Sequence, residues 1–389
     1  MKDGLQEPAT LRATVVEVEL GRLRRNLAAI TAAVAPARVM AIVKANAYGH
    51  GLVPVARTLL AAGCDQLGVA FLEEGIELRR AGVTAPILVL GGIIGNQVRH
   101  FLDYDLQLCA SSVYKLRQID ETAAETGQRA KVHLKIDTGM GRIGVRWDRA
   151  ETLFEAAVAA PNCELGGVFS HFANSDAADP SFARLQLARF NQALAFFPRA
   201  GLPMPCRHIA NSGAVLQHPE ACLDMVRPGI LLYGVYPGPE ARRTIEVEPA
   251  LAFKTRVVYF KVVAAGDSVG YDLTWQAPRD TRVVTLPVGY GDGYSRALSN
   301  RGEVLLGGRR YPLVGRLSMD QCCVDIGGES AYNGDEAVLI GDQAGGRITV
   351  EEVAEWVGTI PYEILTMINA RVPRCYLEAE PPAERYNQG

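Results

Sequence analysis

Apolar and polar residues follow a regular pattern along the first part of the chain, and the pattern changes near residue 240. Segment 13–20 alternates Val and Leu with Glu17 and Glu19, which predicts a half-exposed strand. Apolar residues then recur every three or four positions from Leu20 to Val34, which predicts an amphipathic helix ending before Pro36. The chain therefore opens with a strand followed directly by a helix.

Short apolar runs then alternate with stretches that are long enough for a helix and two loops. The runs are 39–43, 66–70, 87–90, 106–109, 131–136, 166–169, 207–209 and 225–227. Such alternation predicts parallel strands joined by right-handed crossovers. Eight strand–helix units fit a closed (β/α)₈ barrel of the TIM type better than an open sheet.

The residue composition changes after Pro237 and Pro239, where Val, Thr and Tyr become frequent between Gly-containing turns. Segments 253–264, 282–288, 303–306 and 336–340 predict a mainly antiparallel β domain. One helix interrupts it, because Thr349 and Glu352 form a capping-box pattern before residues 353–357. We predict a barrel domain over 13–240 and a β domain over 241–389, with the strand at 13–20 a candidate member of the β domain.

Composition narrows the classes of partner. The chain has 389 residues, a hydrophobic fraction of 48% and a net charge of −3, and it contains no basic block. A large core is therefore available, whereas neither nucleic acid nor an anionic membrane is expected as a partner, and the substrate is predicted to be small. The eight cysteines include no Cys-x-x-Cys, which argues against a metal site and for a reducing compartment. With no signal peptide or transmembrane run in the sequence, we predict a cytoplasmic protein.

A lysine, Lys44, ends the first predicted barrel strand. An ammonium at that place is unfavourable unless its pKa falls or the amine becomes a neutral imine, and both states suit Schiff-base chemistry. The alternative is that the side chain simply extends to solvent.

Polar residues also follow four other predicted strands. Asp137 and Arg142 follow the fifth strand, and the later groups are 170–171, 211–213 and 227–230. Because active sites of such barrels lie at the carboxyl ends of the strands, these groups predict one common site.

One further motif, Gly139-x-Gly141-x-x-Gly144, matches the dinucleotide-binding fingerprint. That interpretation requires a helix opening at the motif and an acidic residue at a strand end about 20 residues later. Glu164 lies near this spacing but precedes the next predicted strand, so we reject a nicotinamide site.

Four motifs in order along the chain resemble the alanine racemase family. They are 44–51 (KANAYGHG), 135–144 (KIDTGMGRIG), 224–229 (DMVRPG) and 315–320 (GRLSMD). The resemblance covers about residues 13–378 and implies a pyridoxal 5′-phosphate enzyme that interconverts L-alanine and D-alanine. It further implies that Lys44 holds the cofactor covalently, that the protein is a homodimer with shared active sites, and that it supplies D-alanine for peptidoglycan.

The resemblance assigns a set of cofactor-binding residues besides Lys44. They are Tyr48, Arg142, His171, Asn211, Ser212, Arg227, Gly229, Ile230 and Tyr362. In the family, the arginine matching Arg227 donates to the pyridine nitrogen, with His171 beside the ring. Since arginine is not deprotonated in proteins, this arrangement favours racemisation over transamination. On sequence alone, Arg227 could instead be a surface ion-pair residue, and Tyr48 and Tyr362 ordinary packed tyrosines.

Racemisation needs two bases on opposite faces of a planar carbanion. The resemblance implies that Lys44 acts on D-alanine and that Tyr271, delivered from the partner subunit, acts on L-alanine. Without the resemblance, Tyr271 reads as an aromatic residue that packs an interface. Arg142 and Met319 would place the substrate carboxylate, and Tyr290 would line the entry.

Lys135 matches a lysine that is carbamylated in some family members and bonded to the arginine equivalent to Arg142. A salt bridge to Asp137 is the alternative for this lysine.

Three other functions remain open on the sequence. A broad-specificity amino-acid racemase would keep all these residues. A decarboxylase of the same fold places an acid at the pyridine nitrogen, where this chain has Arg227. A cofactor carrier resembles the barrel alone and would not need Tyr271 or Met319.

Overall fold

The computed structural model describes residues 11–378, and they form two compact units. The barrel unit runs from Leu23 to Glu248, and the sheet unit combines the chain up to Arg22 with the chain from Pro249 onward. The segment after the last barrel strand, as far as Glu248, thus groups with the barrel unit.

The strands are β1 (Val15–Glu19), β2 (Arg38–Ile42), β3 (Gln66–Val69), β4 (Ile87–Val89), β5 (Leu108–Ala110), β6 (Ala130–Asp137), β7 (Val145–Arg146), β8 (Cys163–Phe169), β9 (Cys206–His208), β10 (Met225–Val226), β11 (Leu251–Arg256), β12 (Tyr259–Val263), β13 (Thr281–Leu286), β14 (Glu303–Leu306), β15 (Arg309–Val314), β16 (Cys322–Gly327), β17 (Glu336–Gln343), β18 (Gly346–Ile348) and β19 (Arg374–Leu377). The helices are α1 (Leu20–Val34), α2 (Lys44–Tyr48), α3 (Leu52–Ala61), α4 (Leu72–Arg80), α5 (Val98–Asp103), α6 (Val113–Thr126), α7 (Ala150–Val158), α8 (Ser181–Leu194), α9 (Phe196–Arg199), α10 (Ser212–Gln217), α11 (Val350–Val357) and α12 (Pro361–Met367).

Parallel strands form the barrel unit, and each of the eight predicted apolar runs overlaps one of them. The strands pair in two groups, in the orders β10-β2-β3-β4 and β5-β6-β8-β9. A parallel bridge between Leu88 and Gln107 joins the groups on one side. On the other side Arg227 N donates to Ala210 O at 2.9 Å, which links the ends of β9 and β10. The ring is closed, so the predicted barrel is confirmed.

Strand composition explains why the barrel holds together. Val39 to Ile42 of β2 are all buried, as expected for a strand covered on both faces. Glycines occur where larger residues need space inside the ring. A Cβ at Gly68 of β3 would lie 2.5 Å from Ile42 Cδ1. A Cβ at Gly167 of β8 would lie 2.7 Å from the ring of His133. These positions therefore leave room for specific neighbours.

The sheet unit is built around a mainly antiparallel sheet with the strand order β12-β13-β16-β15-β14-β17-β11-β1-β19, and β18 pairs with β17. The pair β1–β19 is parallel. Val16 and Val18 of β1 are fully buried, whereas Glu17 and Glu19 between them are partly exposed. The N-terminal strand predicted at 13–20 thus pairs with β11 of the β domain. The predicted fold class is confirmed.

Two details of the predicted β domain are wrong. The apolar segment 253–264 is not one strand, because β11 pairs with β1 and β17 whereas β12 pairs with β13. A change of pairing partner leaves no mark in the side-chain period. Between residues 249 and 378 the domain also has two α-helices instead of one. Thr349 caps α11 with the predicted capping box, but α12 has Pro361 at its start, and a proline there also fits a loop.

Within the described part of the chain, no helix has both the length and the apolar character needed to cross a membrane.

Candidate active site

Lys44 stands at the start of an uncommon backbone turn directly after β2. Ala45, Asn46, Ala47 and Tyr48 have φ angles between 51° and 54°, so α2 is a single turn of left-handed helix. Non-glycine residues visit this conformation rarely, and they persist there only when the surroundings fix them. One turn of the helix brings Lys44 and Tyr48 to the same side of the backbone. The sequence analysis did not predict this turn.

The amine of Lys44 is adapted to covalent chemistry. Burial lowers its pKa below the ordinary value, the positive charge of Arg142 lowers it further, and Glu74 opposes both effects. A lowered pKa increases the fraction of neutral amine near neutral pH, and only the neutral form is a nucleophile or a base. The reading of Lys44 as a solvent-extended lysine does not account for these surroundings.

Tyr48, Ser212 and Gly229 lie close together at the barrel mouth. The Ser212 hydroxyl accepts from Gly229 N at 2.9 Å and from Leu231 N at 3.3 Å, which fixes the turn that includes Ile230. A Cβ on Gly229 would lie 2.3 Å from Tyr48 Oη, so only a glycine lets that hydroxyl approach the turn. Hydroxyls and backbone amides grouped around a glycine suit a phosphate. The chemistry of these groups is therefore compatible with the phosphate of pyridoxal 5′-phosphate.

Asn211 has a supporting place next to these residues. Its side-chain oxygen caps α10 by accepting from Ala214 N at 3.1 Å, and it also accepts from Ser175 Oγ at 2.6 Å. Asn211 thus fixes the helix that carries Ser212.

Arg227 lies at the end of β10 and is only 4% exposed. Its Nη2 donates to Ser170 O at 2.6 Å and to Ile209 O at 3.2 Å. Nη1 donates to His208 Nδ1 at 3.0 Å, and Nη2 lies 3.4 Å from His171 Nδ1. Burial lowers the pKa of Arg227 to about 9, so the guanidinium stays charged at neutral pH. The alternative of a surface ion-pair residue is therefore wrong.

The histidines beside Arg227 are neutral. Burial, followed by the charges of Lys135 and Arg227, holds the pKa of His171 well below its usual range. Burial and Arg227 do the same for His208. Because Arg227 can only donate, Nδ1 of His208 must be unprotonated and its Nε2 must carry the proton. That proton points to His133 Nδ1 at 2.8 Å.

His133 and His208 belong to the site although the sequence analysis missed them. His208 stacks on Phe169 with a centroid distance of 5.0 Å. Both histidines lie inside barrel strands, β6 and β9, among buried residues. A histidine within a short, otherwise buried strand segment was the feature of the sequence that could have pointed to them.

Lys135 points into the same part of the barrel. It is 5% exposed, and its Nζ lies 4.4 Å from the centroid of the Phe169 ring. Burial, and next the charge of Arg227, lowers its pKa to about 7. Lys135 shares a small cavity with Arg142 and His171. One carboxylate oxygen of Asp137, the alternative partner, accepts from Gly139 N and Gly141 N at 3.0 and 3.1 Å.

The segment that resembles a dinucleotide fingerprint is a loop between β6 and β7. After Gly144 the chain enters β7, not a helix, and β7 pairs with the end of β6. The loop instead presents Arg142 to the cavity that Lys135 lines.

The remaining predicted site residues lie in the sheet unit: Tyr271, Tyr290, Met319 and Tyr362. The unit brings two of them together, because Tyr290 N donates to Ser318 O at 3.2 Å and Gly291 N to Met319 O at 2.8 Å. Tyr271 starts a 3₁₀ turn and is 67% exposed. Tyr362 lies on α12.

A buried carboxylate fixes the segment that carries Tyr290 and Met319. Asp292 is fully buried and accepts from Arg371 Nε at 2.6 Å. Arg371 also donates to Asp320 Oδ1 at 2.6 Å. Burial alone would raise the pKa of Asp292, but the hydrogen bonds from Arg371 and Arg12 lower it.

Comparison with known proteins gives consistent matches. The family described as "Alanine racemase, N-terminal domain" matches residues 18–237, and "Alanine racemase, C-terminal domain" matches residues 250–376. The alanine racemase of Desulforamulus reducens is 44% identical over 93% of this chain and 98% of its own length. Among solved structures, the Bacillus anthracis alanine racemase with bound L-Ala-P has a TM-score of 0.89 at 37% identity, covering 95% of this chain and 96% of its own. The Bartonella henselae alanine racemase with covalently bound pyridoxal phosphate has a TM-score of 0.86 at 29% identity, covering 95% of this chain and 100% of its own.

Gly229, which lies beside the Tyr48 hydroxyl, gives a first prediction. Gly229→Ala should weaken binding of pyridoxal 5′-phosphate to the apoprotein by about tenfold, since the new Cβ displaces the Tyr48 hydroxyl and removes one hydrogen bond to a charged group. Absorbance titration measures the dissociation constant. Gly328→Ala is the matched control, because a Cβ there meets nothing within 4 Å. Equal affinities of the two variants would contradict a role of Gly229 in binding the phosphate.

Proposed function

Because the chain belongs to the alanine racemase family, it interconverts L-alanine and D-alanine with pyridoxal 5′-phosphate, and we propose that Lys44 and Tyr271 exchange the Cα proton. The observation that carries this proposal is the buried Arg227, a donor-only cation held by neutral histidines at the carboxyl end of the barrel. Because Arg227 matches the arginine that donates to the pyridine nitrogen in the family, we place the reaction at the barrel mouth.

Lys44 has two tasks in this proposal. Its neutral amine binds the cofactor covalently and later takes or returns the Cα proton of D-alanine. Burial and Arg142 favour the neutral amine that both tasks need. When bound, the cofactor withdraws electrons from the substrate Cα and makes its proton acidic.

Arg227 decides where the proton returns. A group that faces this guanidinium can accept a hydrogen bond but gains no proton from it. Arg227 would therefore leave the ring nitrogen of a bound cofactor unprotonated, and the cofactor would then supply weaker electron withdrawal. This would favour return of the proton to Cα, and so racemisation over transamination. An acid at this position, as the decarboxylases have, would act in the opposite way.

Tyr271 is the proposed base on the other face, acting on L-alanine. Because it lies in the sheet unit, we propose that it reaches the barrel mouth of a partner subunit in a homodimer with shared active sites. We assign Arg142 and Met319 to the substrate carboxylate and Tyr290 to the entry. Tyr362 is assigned to the phosphate.

We propose alanine as the substrate and the supply of D-alanine for peptidoglycan, in the cytoplasm, as the role. The bound L-Ala-P of the Bacillus anthracis relative supports a small amino-acid substrate. Because the family match extends over residues 250–376, a carrier made of the barrel alone is disfavoured.

Lys135 is proposed to be carbamylated. Its neutral Nζ would bond to the carbon of carbon dioxide, release one proton and leave a carboxylate close to Arg142. Such an anion offsets the positive charge of Arg142, which shares the cavity with Lys135, and the charge of Arg227, which lowers the pKa of Lys135. Carbamylation thus changes the least tolerable buried cation into a partner for an arginine.

Lys44 is tested by labelling. Borohydride reduction of the holoenzyme should leave the pyridoxyl group on the peptide that contains Lys44, because that amine is the proposed attachment point. Peptide mapping by mass spectrometry locates the label, and Lys44→Ala should take up none. A label on another lysine, such as Lys135, would refute the assignment.

Tyr271 is tested by removing one hydroxyl. Tyr271→Phe should lower turnover of L-alanine by at least about 10²-fold, because a general base is lost, and should leave cofactor affinity unchanged. Tyr332→Phe is the control, since Tyr332 lies in the same unit with a similar exposure of 65%. Wild-type rates in Tyr271→Phe would end the proposal for this residue.

The Lys135 proposal predicts a pH dependence. With a pKa of about 7 the free amine is mostly neutral at about pH 8 and mostly protonated at about pH 6, so carbamate should be present at the higher pH and lost at the lower. Carbon-13 NMR in labelled bicarbonate measures it. The signal should vanish in Lys135→Ala and persist in Lys131→Ala, an exposed lysine of the same strand. No signal at about pH 8 contradicts the proposal.

A further inference from the structure

The left-handed turn after Lys44 needs an explanation. Ala45, Asn46, Ala47 and Tyr48 all have left-handed backbone angles, and none of them is glycine. Each such residue is sterically unfavourable, so an isolated segment of this sequence would not adopt the turn. Something outside the turn must therefore hold it.

The end of the turn is held from within its own segment. Asn46 Oδ1 accepts from Leu52 N at 2.8 Å, and Gly51 N donates to Asn46 O at 2.9 Å. These bonds fix the exit into α3. They do not reach the start of the turn, where Lys44 stands.

The start of the turn is held by Glu74 of α4. Its Oε1 accepts from Ala45 N at 2.6 Å, directly next to Lys44 in the chain. Its other oxygen, Oε2, accepts from Ala70 N at 2.8 Å and from Phe71 N at 3.2 Å. One carboxylate therefore ties the residue after Lys44 to the junction between β3 and α4. Hydrogen bonds to an ionised acceptor are stronger than those between neutral groups.

The helix that carries Glu74 is a firm support. Leu72, Gly75 and Leu78 of α4 are buried. A Cβ on Gly75 would lie 2.8 Å from Leu106 Cδ1, so the helix packs closely against the barrel. A side chain on such an element holds its position better than one on a loop.

We propose that Glu74 is a positioning residue for Lys44: its carboxylate fixes the start of the left-handed turn and thereby aims the Lys44 amine at the cofactor. The inference rests on the proposed role of Lys44 as attachment point and base. Glu74 does not touch the reacting atoms, and it acts through the backbone of Ala45.

The rival explanation is that Glu74 only caps α4. Its bonds to Ala70 and Phe71 would be enough for that purpose, and the bond to Ala45 would be incidental. Glutamine separates the two explanations, because its carboxamide has one accepting oxygen and one donating nitrogen. Glu74→Gln cannot accept from Ala45 and from the Ala70–Phe71 amides through different oxygens.

The experiment compares Glu74→Gln with Glu77→Gln, which removes the same charge from an exposed position of the same helix. In the apoprotein, hydrogen exchange at Ala45 should be faster in Glu74→Gln and unchanged in Glu77→Gln. The dissociation constant of pyridoxal 5′-phosphate, from absorbance titration, should rise about tenfold in Glu74→Gln alone, as expected for one lost hydrogen bond to a charged group.

A directional measurement links the effect to the base. The primary isotope effect with Cα-deuterated D-alanine should increase in Glu74→Gln, because Lys44 removes that proton, while the effect with deuterated L-alanine should stay the same. A residue with only a structural role would change both directions equally. Glu74→Asp keeps the charge but shortens the side chain, and it should show the same exchange and affinity changes.

Exchange at Ala45 and cofactor affinity that match Glu77→Gln in both Glu74 variants would overturn the inference. So would loosening confined to the start of α4 with Ala45 unaffected. Faster exchange at Ala45 and weaker cofactor binding, with isotope effects that stay at the wild-type values in both directions, would support the positioning role and contradict the base assignment of Lys44 instead. Failure of the Glu74 inference and failure of the proposed base role of Lys44 therefore give different results.

Discussion

The barrel unit has to bury a permanent cation without a carboxylate beside it, and much of the site follows from that constraint. Arg227 is satisfied by the carbonyls of Ser170 and Ile209 and by His208. Because a guanidinium offers only donors, each neighbour must accept, which sets the tautomer of His208 and through it the hydrogen bond to His133. The glycines of β8 then make room for the His133 ring. A single donor-only side chain thus fixes ring orientations across three strands.

Two residues that we propose to hold the cofactor lie on one short segment. Lys44 and Tyr48 are separated by a single left-handed turn, so the amine and the tyrosine hydroxyl are carried on one fixed piece of backbone. Tyr48 reaches Gly229, which follows the neighbouring strand β10, and only a glycine permits that approach. The strain of the turn is therefore used to set a distance that a flexible loop would not hold.

Much of this arrangement could be predicted from the sequence, and the exceptions have physical reasons. The barrel was predictable because its strands are continuous apolar runs and its polar residues follow them, as Arg227 follows β10. The phosphate residues Ser212 and Gly229 came from a family resemblance, and the structure brings them together. The turn at 45–48 was not predictable, because Ala and Tyr favour other backbone angles and the stabilising groups are distant in sequence, as Glu74 is. His133 was missed because it lies in the middle of β6, and His208, the last residue of β9, was missed because the predicted run extended to residue 209.

Charge balance at the barrel mouth favours the binding of anions. Lys44, Lys135, Arg142 and Arg227 lie close enough to His171 to lower its pKa. The carboxylates near them are engaged by backbone amides, Glu74 by Ala45 and Asp137 by its own loop. Positive charge therefore exceeds negative charge among partly buried groups, which is unfavourable until anions enter. The proposed phosphate and substrate carboxylate would supply them, and a carbamate on Lys135 would remove one cation and add one anion. The charge of Arg142 also favours the neutral amine of Lys44, so a group proposed to hold the substrate carboxylate would at the same time prepare the proposed base.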